Sequence, residues 1–327
     1  MANLMDHNIS YSVAIRTLGT AGEKYKVLLE SLSRQTIAPE EIFVFIADGY
    51  GLPKESMGIE RYVYVKKGML AQRALNYEQI SSEYILFTDD DIKFADDEVE
   101  KMFGHLIQND ADVISPDIFE NANRSALSEM MMMMSGRMMP RWNDECWGYK
   151  VMSTSGYSYN KKIRKNVYRS ETNAGACFLC RKEDFLKAHI EDELWVDNTP
   201  YPLGEDQVMY YKMHLSGLKI LTYYDHRVEH LDGGNNLSKD KEKMLIYSDF
   251  RFKTIFWHRF IFKQQKNIFK KIWVTLSFGY VCVFTLLIAL LKLRFDILKV
   301  KVAAIKDAVS FLRCSEYKNL PKICFPK

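Results

Sequence analysis

The first third of this 327-residue chain alternates short apolar runs with stretches of helical periodicity, and this alternation constrains the fold more than any other feature. Parallel strands need long crossover connections, which helices usually supply. The sequence therefore predicts an α/β fold with a mostly parallel sheet flanked by helices. Predicted strands cover residues 12–17, 42–46, 61–65, 84–88, 113–115, 176–180 and 218–223, and predicted helices cover residues 23–34, 71–79, 98–108 and 205–214.

The alternation stops between about residues 120 and 170, where we expect a long insert. It contains five successive methionines, Met130 to Met134, which cannot all face a core. Methionine side chains are flexible and suit adaptable apolar surfaces. A lid facing a second substrate and a disordered insert both remain open.

Near the end of the chain, twenty consecutive residues from Ile272 to Leu291 carry no charge. At a rise of about 1.5 Å per residue, a helix of this length just spans the hydrocarbon core of a bilayer. The alternative is a buried core helix, but such a helix would need a large protein around it. We therefore expect a transmembrane or membrane-inserted helix.

Charge is distributed unevenly along the chain. Residues 249–327 carry a net charge of +12, whereas residues 1–248 carry −9. We predict a globular domain at 1–248, a basic aromatic segment at 249–271 suited to lipid headgroups, the apolar helix at 272–291 and a basic amphipathic tail at 292–327. Because the basic tail adjoins the apolar run, anionic lipid is the expected partner and nucleic acid is not.

The six cysteines are scattered, and reduced thiols are the simplest interpretation. Cys177 and Cys180 are spaced to point to opposite faces of a strand, which argues against a zinc site. The first ten residues lack the basic flank and apolar run of a secretory signal, so we expect the globular part in the cytosol.

The sharpest local motif is an apolar strand that ends in three carboxylates, Asp89, Asp90 and Asp91. Adjacent negative charges repel one another, and a divalent cation among them relieves that repulsion. A solvated strand end with a helix-capping acid explains the same residues. The order of motifs along the chain favours the cation.

That order resembles the nucleotide-sugar domain of the family 2 glycosyltransferases, which have the GT-A fold. The resemblance covers roughly residues 9–235, and its long insert departs from the usual pattern. The matching motifs, in order, are Arg16-Thr17, the segment from Ser31 to Thr36, Asp48-Gly49, Lys67-Gly68, Gln72-Arg73, and Asp89 to Asp91.

The resemblance implies an inverting transfer of a sugar, with a lean towards a UDP-linked donor. It places Thr17 and Asp48 at the nucleobase and Arg73 near the base or diphosphate. Asp89 would reach the ribose or the metal, and Asp91 would bind the metal. The remaining donor-binding residues are Arg16, Gly68 and Asp90. Carboxylates alone would repel a diphosphate, so Mn²⁺ or Mg²⁺ must lie between them.

Two further motifs complete the predicted site. The family's acidic pair corresponds to Glu205 and Asp206, which makes Asp206 the expected catalytic base and Glu205 its orienting partner. Ordinary acids in the first turn of a helix would look the same. His230 is a candidate metal ligand, although a lone loop histidine is more often structural.

Together these features predict a membrane-associated glycosyltransferase on the cytoplasmic face. Its acceptor would be a lipid-linked glycan, used in surface polysaccharide or glycolipid assembly. A nucleotidyltransferase on a similar sheet remains an alternative, although the segment from Leu18 to Gly22 lacks a clear phosphate loop. A non-catalytic membrane adaptor is the other.

Overall fold

A computed structural model describes residues 9–118, 125–139, 147–160, 166–232 and 238–323. The strands are β1 (Tyr11–Thr17), β2 (Ile42–Ala47), β3 (Glu60–Val65), β4 (Tyr84–Asp89), β5 (Ile92–Phe94), β6 (Val113–Pro116), β7 (Tyr149–Val151), β8 (Ser158–Asn160), β9 (Val167–Ser170), β10 (Cys177–Arg181), β11 (Ile220–Tyr223) and β12 (Val228–His230). The helices are α1 (Glu23–Ser33), α2 (Glu98–Gln108), α3 (Ala126–Met134), α4 (Lys182–Lys187), α5 (Glu205–Leu215), α6 (Lys239–Phe256), α7 (Ile268–Leu291), α8 (Phe295–Arg313) and α9 (Ser315–Lys318). A 3-10 helix covers Ile190–Asp197, and a π-helix covers Trp257–Phe262.

Eight strands form the central sheet in the order β3-β2-β1-β4-β10-β6-β11-β9. Strands β3, β2, β1 and β4 run parallel to one another, as do β6 and β11. Strands β10 and β9 run antiparallel to their neighbours. The predicted fold class, a mostly parallel sheet flanked by helices with a C-terminal helical region, is confirmed.

Buried apolar residues form one large cluster on each face of the sheet. Cys177 belongs to one cluster and Cys180 to the other, so the two sulfurs point to opposite faces as predicted. These two, Cys282 and Cys314 are free cysteines. Cys146 and Cys324 lie outside the described residues.

One predicted helix is wrong: residues 71–79 form a series of turns. The carboxylate of Asp197 accepts hydrogen bonds from the backbone N–H groups of Leu70 and Ala71 at 3.0 and 2.9 Å, at the start of this segment, where the N–H groups of a helix have no partner within the helix. Tyr77 then takes a positive φ of 51°, which ends helical geometry. The positive φ of Tyr77 therefore interrupts the predicted helix, whereas the Asp197 carboxylate anchors its first turn.

The insert predicted from about residue 120 contains regular structure in its described parts. The side chain of Ser125 caps α3, which carries the methionine run. Strands β7 and β8 form a small hairpin, and β9 joins the central sheet at its edge. Leu127, Met130 and Met134 are exposed. The described part of the insert is therefore a folded subdomain that displays an apolar surface.

The segment after residue 248 corrects our expectation of aromatic side chains at lipid headgroups. The predicted boundary falls inside α6 rather than between elements. The buried aromatic residues of this segment are Phe250, Phe252, Phe256, Trp257 and Phe260. Phe252 stacks on Trp195, and Phe256 stacks on Phe260. These side chains form part of the core that covers one face of the sheet.

Helix α7 contains the predicted apolar run. In the part of the chain that the structure describes, it is the helix with the length and composition to cross a membrane, and 28% of its most apolar window is buried. Single helices of this kind also occur inside soluble proteins. Helix α8 follows with the predicted helical spacing, and its Ile297, Ala304 and Ala308 are buried.

We expect Phe256→Ala to lower the free energy of unfolding by about 3–5 kcal/mol, because it would leave a cavity at a fully buried ring. The matched control is Phe269→Ala, since the Phe269 side chain is 76% exposed. Urea denaturation of the full chain measures both changes. Equal and small effects would place the aromatic segment outside the core.

Candidate functional site

A cleft of about 470 Å³ opens at the carboxyl ends of β1 and β4, where their terminal polar residues meet. In open α/β sheets, ligands bind at this edge. The residues lining the cleft are Arg16, Thr17, Leu18, Thr20, Ala21, Lys24, Lys67, Gly68, Met69, Gln72, Asp89, Asp90, Asp91, Pro202 and Asp232. The cleft thus contains Arg16, Thr17, Gly68 and all three carboxylates of the predicted donor site.

Asp89 is held by two arginines. Both of its carboxylate oxygens accept hydrogen bonds from Arg16, at 2.5 and 3.0 Å, and one also accepts from Arg73 at 2.7 Å. Burial alone would raise the pKa of Asp89, but the two guanidinium charges outweigh it and lower the pKa. Asp89 therefore stays ionised and fixes the arginines. This arrangement does not favour the metal role that we considered for it.

Arg73 does not line the cleft but lies behind it, with only 2% of its side chain exposed. One of its nitrogens contacts Asp89, and the other lies 3.5 Å from the carboxylate of Asp206. A Cβ atom at Gly175 would lie 2.6 Å from that second nitrogen and would also collide with Asp206. The glycine therefore allows the arginine and Asp206 to approach each other.

Asp206 and Glu205 begin α5. The preceding Gly204 has a φ of +87°, and a Cβ atom there would collide with the ring of Phe252, so this turn requires glycine. Asp206 keeps 32% of its side chain exposed, whereas Glu205 is buried beside Arg16 at 3.5 Å. Burial and the negative charge of Asp206 together raise the pKa of Glu205 to about 7.

Asp206 also faces a second, smaller cavity of about 270 Å³. Its walls combine polar side chains with two aromatic rings. The lining residues are Tyr149, Ser158, Thr172, Asn173, Ala174, Leu203, Gly204, Asp206, Gln207, Asp249, Phe252 and Lys253. Pro202 lines the cleft at β1 and β4, whereas Leu203 and Gly204 line this cavity. The segment leading into α5 thus separates two spaces.

Asp90 accepts a hydrogen bond from the hydroxyl of Thr17, which joins the ends of β1 and β4. Burial raises the pKa of Asp90 to about 6, and the neighbouring charges of Asp89 and Asp91 act in the same direction. Gln72 ties the same edge together by donating to the carbonyl oxygens of Thr17 and Phe45 at 3.0 and 3.1 Å.

Asp91 pairs with His230, whose Nε2 lies 3.4 Å from its carboxylate. Strands β5 and β12 pair side by side, which brings Ile92 opposite His230 and places the histidine next to Asp91. No group of three or more His, Cys, Asp or Glu side chains is clustered to hold a metal within the described ranges. The pair does fit a cation that takes its remaining ligands from a diphosphate and water, as Mg²⁺ commonly does.

One residue expected at the donor site does not line the cleft, and two contacts at this edge were not expected from the sequence. Asp48 follows β2 and is exposed, but it is not among the residues that line the cleft. Sequence reasoning missed Asp197, which anchors the turn at Leu70 and Ala71, and the ion pair between Lys24 and Asp232 at the cleft. Asp197 lies in a 3-10 helix far along the chain and carries no local motif that would reveal this contact.

The sequence matches no protein-family model and no curated protein. Among solved structures, the chain is similar to GalNAc-T7, crystallised with UDP, GalNAc and Mn²⁺, with a TM-score of 0.48 and 15% identity. The alignment covers 82% of this chain and 55% of that chain, so this protein spans about half of GalNAc-T7. A likeness at this level assigns no ligand or activity to this chain.

The raised pKa of Glu205 leads to a prediction about the pH dependence of the reaction. Below about pH 7 Glu205 holds a proton, and above it the ionised carboxylate adds a negative charge beside Asp206. A neighbouring negative charge assists a group that takes up a proton. If Asp206 acts as a base, the rate of the catalysed reaction should rise as the pH increases through about 7. Glu205→Gln should flatten that rise.

The control for this prediction is Glu242→Gln, which removes an acid from the first turn of α6 instead. A pH–rate profile measured on all three proteins tests the assignment. An unchanged profile in Glu205→Gln would show that this titration is not linked to the reaction.

Proposed function

We propose that this protein is a metal-dependent, inverting glycosyltransferase that transfers a sugar from a nucleotide sugar, with UDP as the expected nucleotide, to an acceptor hydroxyl. One observation carries the proposal: Asp206 lines a cavity of polar and aromatic residues next to a charged cleft, and Arg73 links it to Asp89 in that cleft. Such an arrangement suits a reaction in which a base of the protein removes a proton from one substrate, close to the charged leaving group of the other substrate. The motif order resembling family 2 supports the same function.

The donor would occupy the cleft at the ends of β1 and β4. The uridine would lie against the β1 side, near Thr17, with Asp48 closer to the rim. Arg16, Lys24 and Lys67 line the cleft and supply positive charge for the diphosphate. Asp91 and His230 would hold Mn²⁺ or Mg²⁺, and the bound cation would stabilise the charge that develops on the leaving diphosphate.

The acceptor would occupy the cavity in front of Asp206. Polar groups with one or two aromatic walls suit a sugar, whose hydroxyls need hydrogen-bond partners and whose ring faces are apolar. Lys253 donates to the side-chain oxygen of Gln207 at 2.5 Å, which fixes one wall of this cavity. Gln207 in turn donates to the carbonyl of Gly156 at 2.7 Å, within the insert. The insert would therefore influence acceptor choice.

In the proposed step, the Asp206 carboxylate takes the proton from the acceptor hydroxyl. The acceptor oxygen forms a bond to the anomeric carbon while the bond from that carbon to the diphosphate oxygen breaks, and the electron pair leaves with the nucleoside diphosphate. Arg73 keeps Asp206 oriented. Because attack and departure occur on opposite faces, the configuration inverts and no covalent enzyme intermediate is needed.

The acceptor is proposed to be carried on a lipid, and the catalytic domain is proposed to lie on the cytoplasmic face of the membrane. The apolar helix α7 and the basic charge of residues 249–327 support attachment there. Surface polysaccharide or glycolipid assembly is the pathway class that such an acceptor implies.

Calorimetric titration of the full chain with UDP tests the donor site. We expect binding that requires Mn²⁺ or Mg²⁺, followed by slow metal-dependent hydrolysis of one member of a panel of nucleotide sugars. Absence of nucleotide-sugar binding would favour the non-catalytic adaptor. Release of pyrophosphate from a nucleoside triphosphate would identify a nucleotidyltransferase instead.

A further inference from the structure

Helix α7 carries two apolar faces with different surroundings. One face packs on the protein through Val274, Phe278, Val281, Thr285 and Ala289. The other face is exposed along the whole helix, and its large side chains are Phe269, Ile272, Trp273, Leu276, Tyr280, Val283, Leu287 and Leu290. A surface helix in water would carry polar residues on that outer face. The outer face of α7 therefore needs an apolar environment that the described part of the protein does not provide.

The start, middle and end of α7 all lie against the same body. Phe278 stacks on Trp257 with ring centroids 4.5 Å apart, and Lys301 of α8 donates to the carbonyl of Thr285 at 3.3 Å. Just beyond the helix, Arg294 forms an ion pair with Glu242 of α6 at 3.1 Å. A helix perpendicular to the bilayer would draw the charged residues of α8 into hydrocarbon, which is costly.

The methionine helix extends the same exposed face. The hydroxyl of Tyr280 donates to the carbonyl of Met134 at 2.7 Å, and a Cβ atom at Gly136 would lie 3.3 Å from Val281. Met134 therefore lies beside the outer face of α7, and Leu127 and Met130, which are exposed at helical spacing on the same side of α3, extend the apolar surface from there. We call these three side chains and the outer face of α7 the apolar face.

We propose that α7 lies parallel to the membrane surface and that the apolar face inserts into one leaflet. Lipid is the occupant that the charges indicate, because Lys271 and Lys292 flank the uncharged run of α7 and residues 249–327 carry +12 overall. Basic residues near an anionic leaflet add to the binding of an apolar face. Trp273 and Tyr280 are residue types that favour the interface. This proposal rests on the membrane attachment that is part of the proposed function and specifies its geometry. It does not depend on the transfer chemistry.

The first test measures partition of the full chain onto vesicles of phosphatidylcholine and phosphatidylglycerol by flotation. We expect Met130→Lys combined with Met134→Lys to weaken partition by about tenfold or more, because two charges would replace inserted apolar side chains. The matched control is Ile59→Lys, which changes an exposed apolar residue outside the apolar face and should leave partition unchanged. Hydrolysis of the donor in solution should stay unchanged in both, which separates this result from a failure of the proposed function.

The second test asks whether α7 lies in the surface or crosses it. Cysteines introduced as Lys270→Cys and Lys292→Cys, with Cys146, Cys282, Cys314 and Cys324 changed to serine, are exposed to a membrane-impermeant maleimide after the protein binds preformed vesicles. We expect both positions to react without detergent. Protection of either one until detergent is added would mean that α7 spans the bilayer and would overturn the proposal.

Equal partition of the methionine variant and the wild type would also overturn the proposal. A second result would also overturn it: the protein does not bind vesicles and instead forms a dimer that the same substitutions dissociate. A second copy of the chain would then cover the apolar face. Sedimentation of the vesicle-free protein measures that alternative.

Discussion

Replacement of Asp206 by asparagine is expected to lower the rate of sugar transfer by about two or more orders of magnitude, the scale of a lost general base. The amide cannot accept the proton from the acceptor hydroxyl, yet it keeps the shape of the side chain beside Arg73. Donor affinity should therefore stay close to that of the wild type. Steady-state transfer and calorimetric donor binding measure the two quantities separately.

The control for this substitution is Asp240→Asn. Asp240 lies in the first turn of α6, as Asp206 lies in the first turn of α5, but Asp240 does not line either cavity. Loss of favourable interaction with a helix dipole should therefore affect both variants alike. If Asp206→Asn transfers sugar as fast as Asp240→Asn, Asp206 is only a first-turn acid.

Asp91→Asn should abolish metal-dependent donor binding and, with it, turnover. The carboxylate of Asp91 and the imidazole of His230 form the pair that would hold the cation, and an amide is a much weaker ligand for it than a carboxylate. His230→Ala should weaken metal dependence less, because the charged ligand remains. Titration with UDP at increasing Mn²⁺ concentration measures both effects.

Asp96→Asn provides the comparison for Asp91→Asn. Asp96 is exposed and pairs with Arg34 away from the cleft, so this exchange should leave metal dependence unchanged. Normal turnover in Asp91→Asn would remove the cation from the site that we propose. Loss of binding at every metal concentration, with an unchanged thermal transition, would support it.

Most of the central sheet could be predicted because β1, β2, β4 and β10 are apolar runs, whereas β9 lies inside the segment that we expected to be an insert. The predicted strand at residues 84–88 and the helix at 98–108 agree with β4 and α2 to within one residue. Strands β5, β7, β8 and β12 have three residues each, too few for a recognisable period. Their positions depend on partners that the local sequence does not specify.

The sequence offered candidate site residues but not their arrangement. The motif order pointed to Asp89, Asp91 and Asp206, and the structure places all three around the same edge. The motif order did not reveal that Arg73 contacts both Asp89 and Asp206. These contacts depend on a turn that Asp197 anchors. Side chains brought together by tertiary contacts leave no periodicity for sequence analysis to find.

Strand β10 runs antiparallel between β4 and β6, and Cys177 pairs with Thr88 at the edge that carries Asp89. After Pro116 the chain leaves the middle of the sheet, adds β9 at the far edge of the sheet, and returns to the middle at Cys177. The residues between β6 and β9 can therefore change in length or sequence while the frame of β1 to β4 is kept. Recombination could then exchange this segment while β1 to β4 stay the same. Under the proposed function, one donor-binding sheet would then serve a range of acceptors.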